Sequence, residues 1–266
     1  MKTPFEKLCD IVAQLRTPGG CPWDREQTNE SLLPALIEEA YEVAGALRAR
    51  DDANFREELG DLLLLIVMHA EIAREADRFN IDDVASEVSE KLIRRHPHVF
   101  AKSDARDSGA VLKQWERIKH EEKANPDDHY LDGLPTALPA LMRAQKTQKK
   151  VARVNFDWAQ IRDVVAKVEE ELSETKAAVA SKNQDAIEGE IGDLLFAVVN
   201  LARKCQIDAE SALQKATDKF VARFNQLENE LKARGKRLGD VDLPELDRIW
   251  NKIKAANAQR PTPNAQ

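Results

Sequence analysis

Glycine is scarce in this chain, ten residues in 266, and alternating β-branched runs are scarcer still. Those two shortages exclude a fold built from hairpins and sheets, which needs both tight turns and a period-two apolar pattern. Positive charge is in deficit: 47 acidic residues against 40 basic ones give a net charge of -7 and a pI near 5.4. Such a balance disfavours loose attraction to phosphate backbones or anionic membranes, so neither nucleic acid nor membrane is an expected partner. Long apolar runs are missing as well. The longest, Leu62 to Met68, is far too short to cross a bilayer, and Lys2, Glu6, Lys7, Asp10 and Arg16 interrupt any leader-like stretch. A soluble, cytoplasmic protein is expected. Cys9, Cys21 and Cys205 are odd in number and widely spaced, which suits a reducing compartment and offers no paired-cysteine metal motif. No glycine-rich phosphate loop and no spaced Ser/His/Asp set is present, which argues against a P-loop enzyme or a covalent hydrolase.

What the chain does have is helical periodicity almost throughout. The apolar spacing predicts helices near 5–16, 31–50, 55–79, 82–95 and 111–123, then near 141–153, 158–181, 186–205, 209–234 and 244–256. Asn54 is the expected cap of the third of these. That helix carries Leu59 and the run from Leu62 to Val67, a belt too wide for a surface stripe and typical of a helix enclosed by neighbours. The class is all-α. Domains are expected at 1–124 and 139–256, joined by a Pro- and Asp-rich linker at 125–138, with a disordered tail at 257–266.

The halves are related by a duplicated acidic pattern. Glu38-Glu39-Ala40-Tyr41-Glu42 precedes Glu58-Leu59-Gly60-Asp61, and Glu170-Glu171-Leu172-Ser173-Glu174 precedes Glu190-Ile191-Gly192-Asp193, at a constant offset of 132 positions. A single acidic pair in a chain that is 33% charged reads as a solvated helix face. Two aligned copies do not. Glu39 with Glu42, and Glu58 with Asp61, share a helical face at i, i+3, where like charges destabilise a helix by about 0.2–0.5 kcal/mol unless something compensates. Moreover Glu58, Asp61, Glu190 and Asp193 lie on the most apolar helix of each half, where an ionised carboxylate needs a partner or a cation. All-oxygen ligation without His or Cys selects a hard ion, Mg2+ or Mn2+. Gly60 and Gly192, each between two acids in mid-helix, imply a close approach there, for a ligand or for a packed helix. His96 and His98 flank a proline without other ligand-type neighbours and are read as turn residues; Cys21 is read as structural.

Cationic and aromatic pairs also recur in both halves. Lys91 and Arg95 match Lys219 and Arg223, and Trp115 with Lys119 matches Trp250 with Lys254. A Lys/Arg fork can hold phosphate oxygens and an indole can stack on a base, although surface solvation and hydrophobic anchoring are the ordinary uses of such residues. Metal, phosphate clamp and stacking plane together describe a nucleotide site.

EExxE, a sixteen-position step, ExxD, then KxxxR and WxxxK resemble the MazG family of nucleoside triphosphate pyrophosphohydrolases in its tandem-domain form. Cys21-Pro22-Trp23-Asp24 and Arg95-His96-Pro97-His98-Val99-Phe100 are similar to signatures of its first domain. The resemblance implies two helical domains, a four-helix-bundle type core completed by dimerisation, a Mg2+ requirement, and hydrolysis of nucleoside triphosphates to monophosphate and pyrophosphate. On that reading Glu171, Glu174, Glu190 and Asp193 hold metal, and Glu170 or Glu174 serves the attacking water. Lys167, Lys219, Arg223 and Lys254 hold phosphates, and Trp250 covers the base or sugar. Glu39, Glu42, Glu58 and Asp61 form a possible second metal site. Lys167 aligns with Ala35 and Ala166 with Pro34, so the second half is expected to be the main catalyst. Broad base tolerance and control of the nucleotide pool are the expected role; the alternative is a nucleotide-sensing regulatory protein without turnover.

Overall fold

The structure, a computed structural model, describes residues 2–101, 103, 104, 106–123 and 129–258. Every regular element among them is a helix. Residues 125–128 of the expected linker and 259–266 of the expected tail lie outside the described residues. The chain divides into two compact units, Met1–Pro126 and Asp127–Gln266.

In the first unit α1 (Pro4–Arg16) and the short α2 (Pro22–Glu26) lead to α3 (Leu33–Ala49) and α4 (Asp52–Glu75). They are followed by α5 (Ile81–Arg95), the single turn α6 (Pro97–Phe100) and α7 (Ser108–Lys123). Thr3 opens α1 with a reciprocal cap, its hydroxyl accepting from the Glu6 amide while the Glu6 carboxylate accepts from the Thr3 amide. Asn80 and Asp83 repeat the device at α5. Asp51, not Asn54, caps α4: its side chain accepts from the Asn54 amide at 3.1 Å, so Asn54 is the amide served rather than the cap.

The second unit repeats the plan with α8 (Ala140–Ala152), α9 (Ile161–Ser181), α10 (Gln184–Lys204), α11 (Ala209–Ala233) and α12 (Leu243–Ala258). Its centre is the antiparallel hairpin α9–α10, as α3–α4 is the centre of the first. Both hairpins turn in the same way. A left-handed residue, Arg50 (φ 57°) or Lys182 (φ 59°), ends the first helix, and the next residue, Asp51 or Asn183, caps the second. α8 is fixed to its neighbours by two buried amides. Gln145 donates to the Ile207 carbonyl and accepts from the Ala209 amide, while Gln148 donates to the Phe196 carbonyl. Asp157, just before α9, accepts from Arg203 at 2.6 Å and Lys204 at 2.9 Å near the end of α10.

The first unit's core joins Val12, Leu32, Val67 and Met68; one core of the second joins Leu227, Leu231, Ile249 and Ile253. The apolar belt of α4 is not enclosed as expected. Val67, Met68, Ala70 and Ala73 are buried, but Leu59, Leu63 and Ile66 are exposed. α10 behaves alike, with Ile191, Leu195, Phe196 and Val198 exposed beside buried Ala197 and Val199. The cause is geometric: the hairpin partner and two further helices, α1 and α5 for α4 and α8 and α11 for α10, leave part of each of these helices uncovered. No helix among the described residues is long and apolar enough to cross a membrane.

Candidate metal and nucleotide site

Each central hairpin gathers three carboxylates. In the first unit Glu39 from α3 meets Glu58 and Asp61 from α4; in the second Glu171 and Glu174 from α9 meet Glu190 from α10. Within each set one oxygen per side chain lies within 4.8 Å of the others. The i, i+3 spacing puts two acids on one helical face, and the hairpin supplies the third from across the interface. Thr175, a residue the sequence reading passed over, fastens that interface in the second unit: its hydroxyl lies 2.7 Å from the Glu171 carbonyl and 3.2 Å from the Glu190 carbonyl. Its only sequence signal is a hydroxyl one turn beyond an acid.

Glu42 and Asp193, expected as fourth ligands, stand outside these triplets, and both are exposed. Glu42 still acts on the first cluster through its charge. Loss of hydration and then the charges of Glu42, Asp61 and Glu38 push the Glu39 carboxyl up. Glu58 is pushed up by the same loss and then by Glu42 and Glu39. In the second unit Glu174 is raised by lost hydration, then by Glu171 and Glu190. These are the signs of negative charge crowded without enough counter-charge. Glu39 adds a direct mark: its Oε2 is buried and has no hydrogen-bond partner. An orphaned carboxylate oxygen amid two more carboxylates fits a hard divalent cation, and the donor set contains no soft or imidazole ligand.

Lys167 stands at the second cluster, its Nζ 2.7 Å from an oxygen of Glu170 and 2.7 Å from one of Glu171. Those contacts hold its ammonium well above the usual lysine range, the bond to Glu170 first and that to Glu171 next. Glu171 is only 6% exposed, so the lysine balances the most deeply placed acid of the triplet. Lys219 and Arg223 on α11 and Lys254 on α12 make no ion pair with any described residue. Trp250 is half-buried, 5.0 Å from the Phe220 ring and against the α11–α12 core, so it anchors those helices as well as offering an indole. The matching residues of the first unit are engaged differently. Arg95 binds Glu122 at 2.6 Å and lies 5.2 Å over Trp115, which Lys119 also faces at 4.9 Å.

Gly60 and Gly192 do not mark a close approach among the described residues. A Cβ at either would meet nothing within 4 Å.

Fold and site together define an all-α protein carrying two carboxylate cages of the kind that hold hard divalent cations. The MazG nucleotide pyrophosphohydrolase domain is found in it twice, over residues 27–100 and 160–227. The chain is 48% identical over 254 residues to a nucleoside triphosphate pyrophosphohydrolase of Escherichia coli strain K12, covering 94% of this chain and 97% of that protein. It is 46% identical over 253 residues to the nucleoside triphosphate pyrophosphohydrolase/pyrophosphatase MazG of Thermotoga maritima, covering 95% and 96%. An uncharacterized protein of Bacillus subtilis, YabN, is 43% identical over 251 residues, which are 94% of this chain and 51% of that one. The chain belongs to the MazG nucleotide pyrophosphohydrolase family, hydrolases that act on acid anhydrides.

Proposed function

We propose that this protein hydrolyses nucleoside triphosphates to nucleoside monophosphate and pyrophosphate by attack of water at the α-phosphorus, with Mg2+ as its ion and Mn2+ as a substitute. The observation that carries the reading is the pair of three-carboxylate cages, one per unit, in a chain of this family. Glu171, Glu174 and Glu190 would hold the ion in the second unit, with Asp193 one turn along α10 as a further ligand. When bound, a divalent cation supplies charge neutralisation and Lewis acidity toward the phosphate oxygens. Glu170, with Glu174 as the alternative, would orient the water and take its proton. Lys167, Lys219, Arg223 and Lys254 hold the phosphate charge, and the indole of Trp250 covers base or sugar. Stacking reads a π-face rather than a base edge, which supports broad base tolerance and a role in nucleotide-pool control. The free cysteines support a cytoplasmic setting.

The second unit is the main catalyst, since among the described residues it alone places a lysine against its acids. Glu39, Glu58 and Asp61, with Glu42 beside them, form a second ion site serving assembly or regulation. Exposed apolar faces on both hairpins support a homodimer. Replacing Glu171 and Glu174 by Ala should lower pyrophosphate release by roughly a hundredfold or more; undiminished turnover refutes the reading. A Glu42→Ala, Asp61→Ala variant should keep most activity, whereas Glu174→Ala, Asp193→Ala should not. Equal losses would remove the asymmetry.

A further inference from the structure

We propose that Lys167 is a resident counterion of the second carboxylate cage, displaced by a divalent cation and a polyphosphate acting together, so that the two units bind metal by different rules. The proposal rests on the metal reading of both cages. In the second unit the Lys167 ammonium already touches Glu170 and Glu171, each at 2.7 Å, and its partner Glu171 is buried while the lysine side chain is 34% exposed. An ion approaching Glu171 therefore meets a positive charge in place. In the first unit the aligned position is Ala35, and Glu39 keeps a buried oxygen with no partner. At the aligned position no cation among the described residues reaches that cage, and it stands ready for an external one.

Lysine suits an exchangeable counterion. Its ammonium is a point charge with three donors on a flexible stem, so it can leave a carboxylate for a phosphate oxygen without loss of bonding. Its place is also weak as a helix pair, because Lys sits N-terminal to both acids, the less favourable order at i, i+3 and i, i+4. A triphosphate draws the ammonium away, which uncovers Glu171 for metal; metal in turn lowers the negative charge the triphosphate meets. Coupling of this sort is reciprocal: each ligand raises the affinity for the other by the same factor. The first cage, lacking the lysine, binds the ion alone.

Calorimetric titration of full-length chains with Mn2+ tests this, with one cage silenced at a time: Glu58→Gln, Asp61→Asn leaves the second cage, and Glu174→Gln, Glu190→Gln leaves the first. In the second-cage protein, Lys167→Met should raise Mn2+ affinity without nucleotide by roughly three- to tenfold, the scale of one charge contact at a half-buried cluster. It should also shrink the gain in Mn2+ affinity produced by a triphosphate with a methylene bridge between α and β phosphorus. Lys167→Arg, which keeps the charge, should leave Mn2+ binding without nucleotide no tighter than in the parent, and Ala35→Lys should weaken Mn2+ binding to the first-cage protein. Unchanged or weakened Mn2+ binding in Lys167→Met overturns the counterion role while leaving the cages intact. If Glu171→Gln also left Mn2+ binding unchanged, the metal reading itself would fall.

Discussion

Carboxylates in this protein are pushed in opposite directions according to their neighbours. Glu39, Glu58 and Glu174 are raised above the ordinary 4.5 by lost hydration and by one another. A raised acid favours the fold while protonated, so its contribution is present in full below about pH 4.5 and is lost as pH rises through the raised folded value. At neutral pH the metal-free cages therefore carry repulsion, which Lys167 relieves only in part in the second. Mn2+ should raise the melting temperature at pH 7.5 relative to chelator, and the gain should fade as pH drops toward the ordinary carboxylate range. A pH-independent gain would show that these acids are not the ligands. Glu122 goes the other way, pulled down to about 2 by Arg95 and then Arg94. Its contribution holds above the ordinary 4.5 and is lost as pH falls toward 2. Acid unfolding followed by circular dichroism should be less steep over that range in Glu122→Gln.

At the scale of the element, the helical hairpin is the working part. Asn183 accepts from the Asp185 and Ala186 amides at the start of α10; Asn183→Ala should cost about 1 kcal/mol in urea unfolding. Thr175→Val keeps the shape but removes the hydroxyl from between the Glu171 and Glu190 carbonyls. The expected cost is about 0.5–1.5 kcal/mol. Gly192→Ala should gain about 0.5–1 kcal/mol, since its Cβ would enter open space. A loss there would place a helix of another chain against it. Helix positions were legible from periodicity to within a few residues, because the long helices carry apolar residues at helical spacing, whether on a buried face as in α4 and α10 or on an exposed one as in α5. α2 and α6, at five and four residues, were not: one turn started by proline is too short to show a period. Asn54 was mistaken for a cap because Asp51, Asp52 and Asn54 all have capping side chains, and only the hydrogen bond to the Asn54 amide chooses among them.

The whole molecule leaves apolar surface uncovered. Leu195 is 52% exposed and Phe196 46%, both on the central hairpin of the second unit. A charge at such a face is nearly harmless in a monomer and disruptive in a dimer. Sedimentation of Leu195→Asp should show a smaller species than the parent; identical sedimentation of both would count against pairing through this face. The duplication itself also belongs to this scale. One acidic pattern, written twice at an offset of 132 positions, gives two cages with different electrostatics, in part because an aligned position is Lys in one and Ala in the other.

Helical class, the tandem repeat and the identity of the clustered acids were determined by sequence alone, since each is carried by spacing along the chain. Tertiary structure decided the rest. Which three of each four acids converge, that Lys167 bonds to Glu171, that Thr175 bridges two backbones and that half of each apolar belt stays open all depend on the rotation of one helix against another. Periodicity places a residue on a face of its own helix, but only packing determines what that face meets.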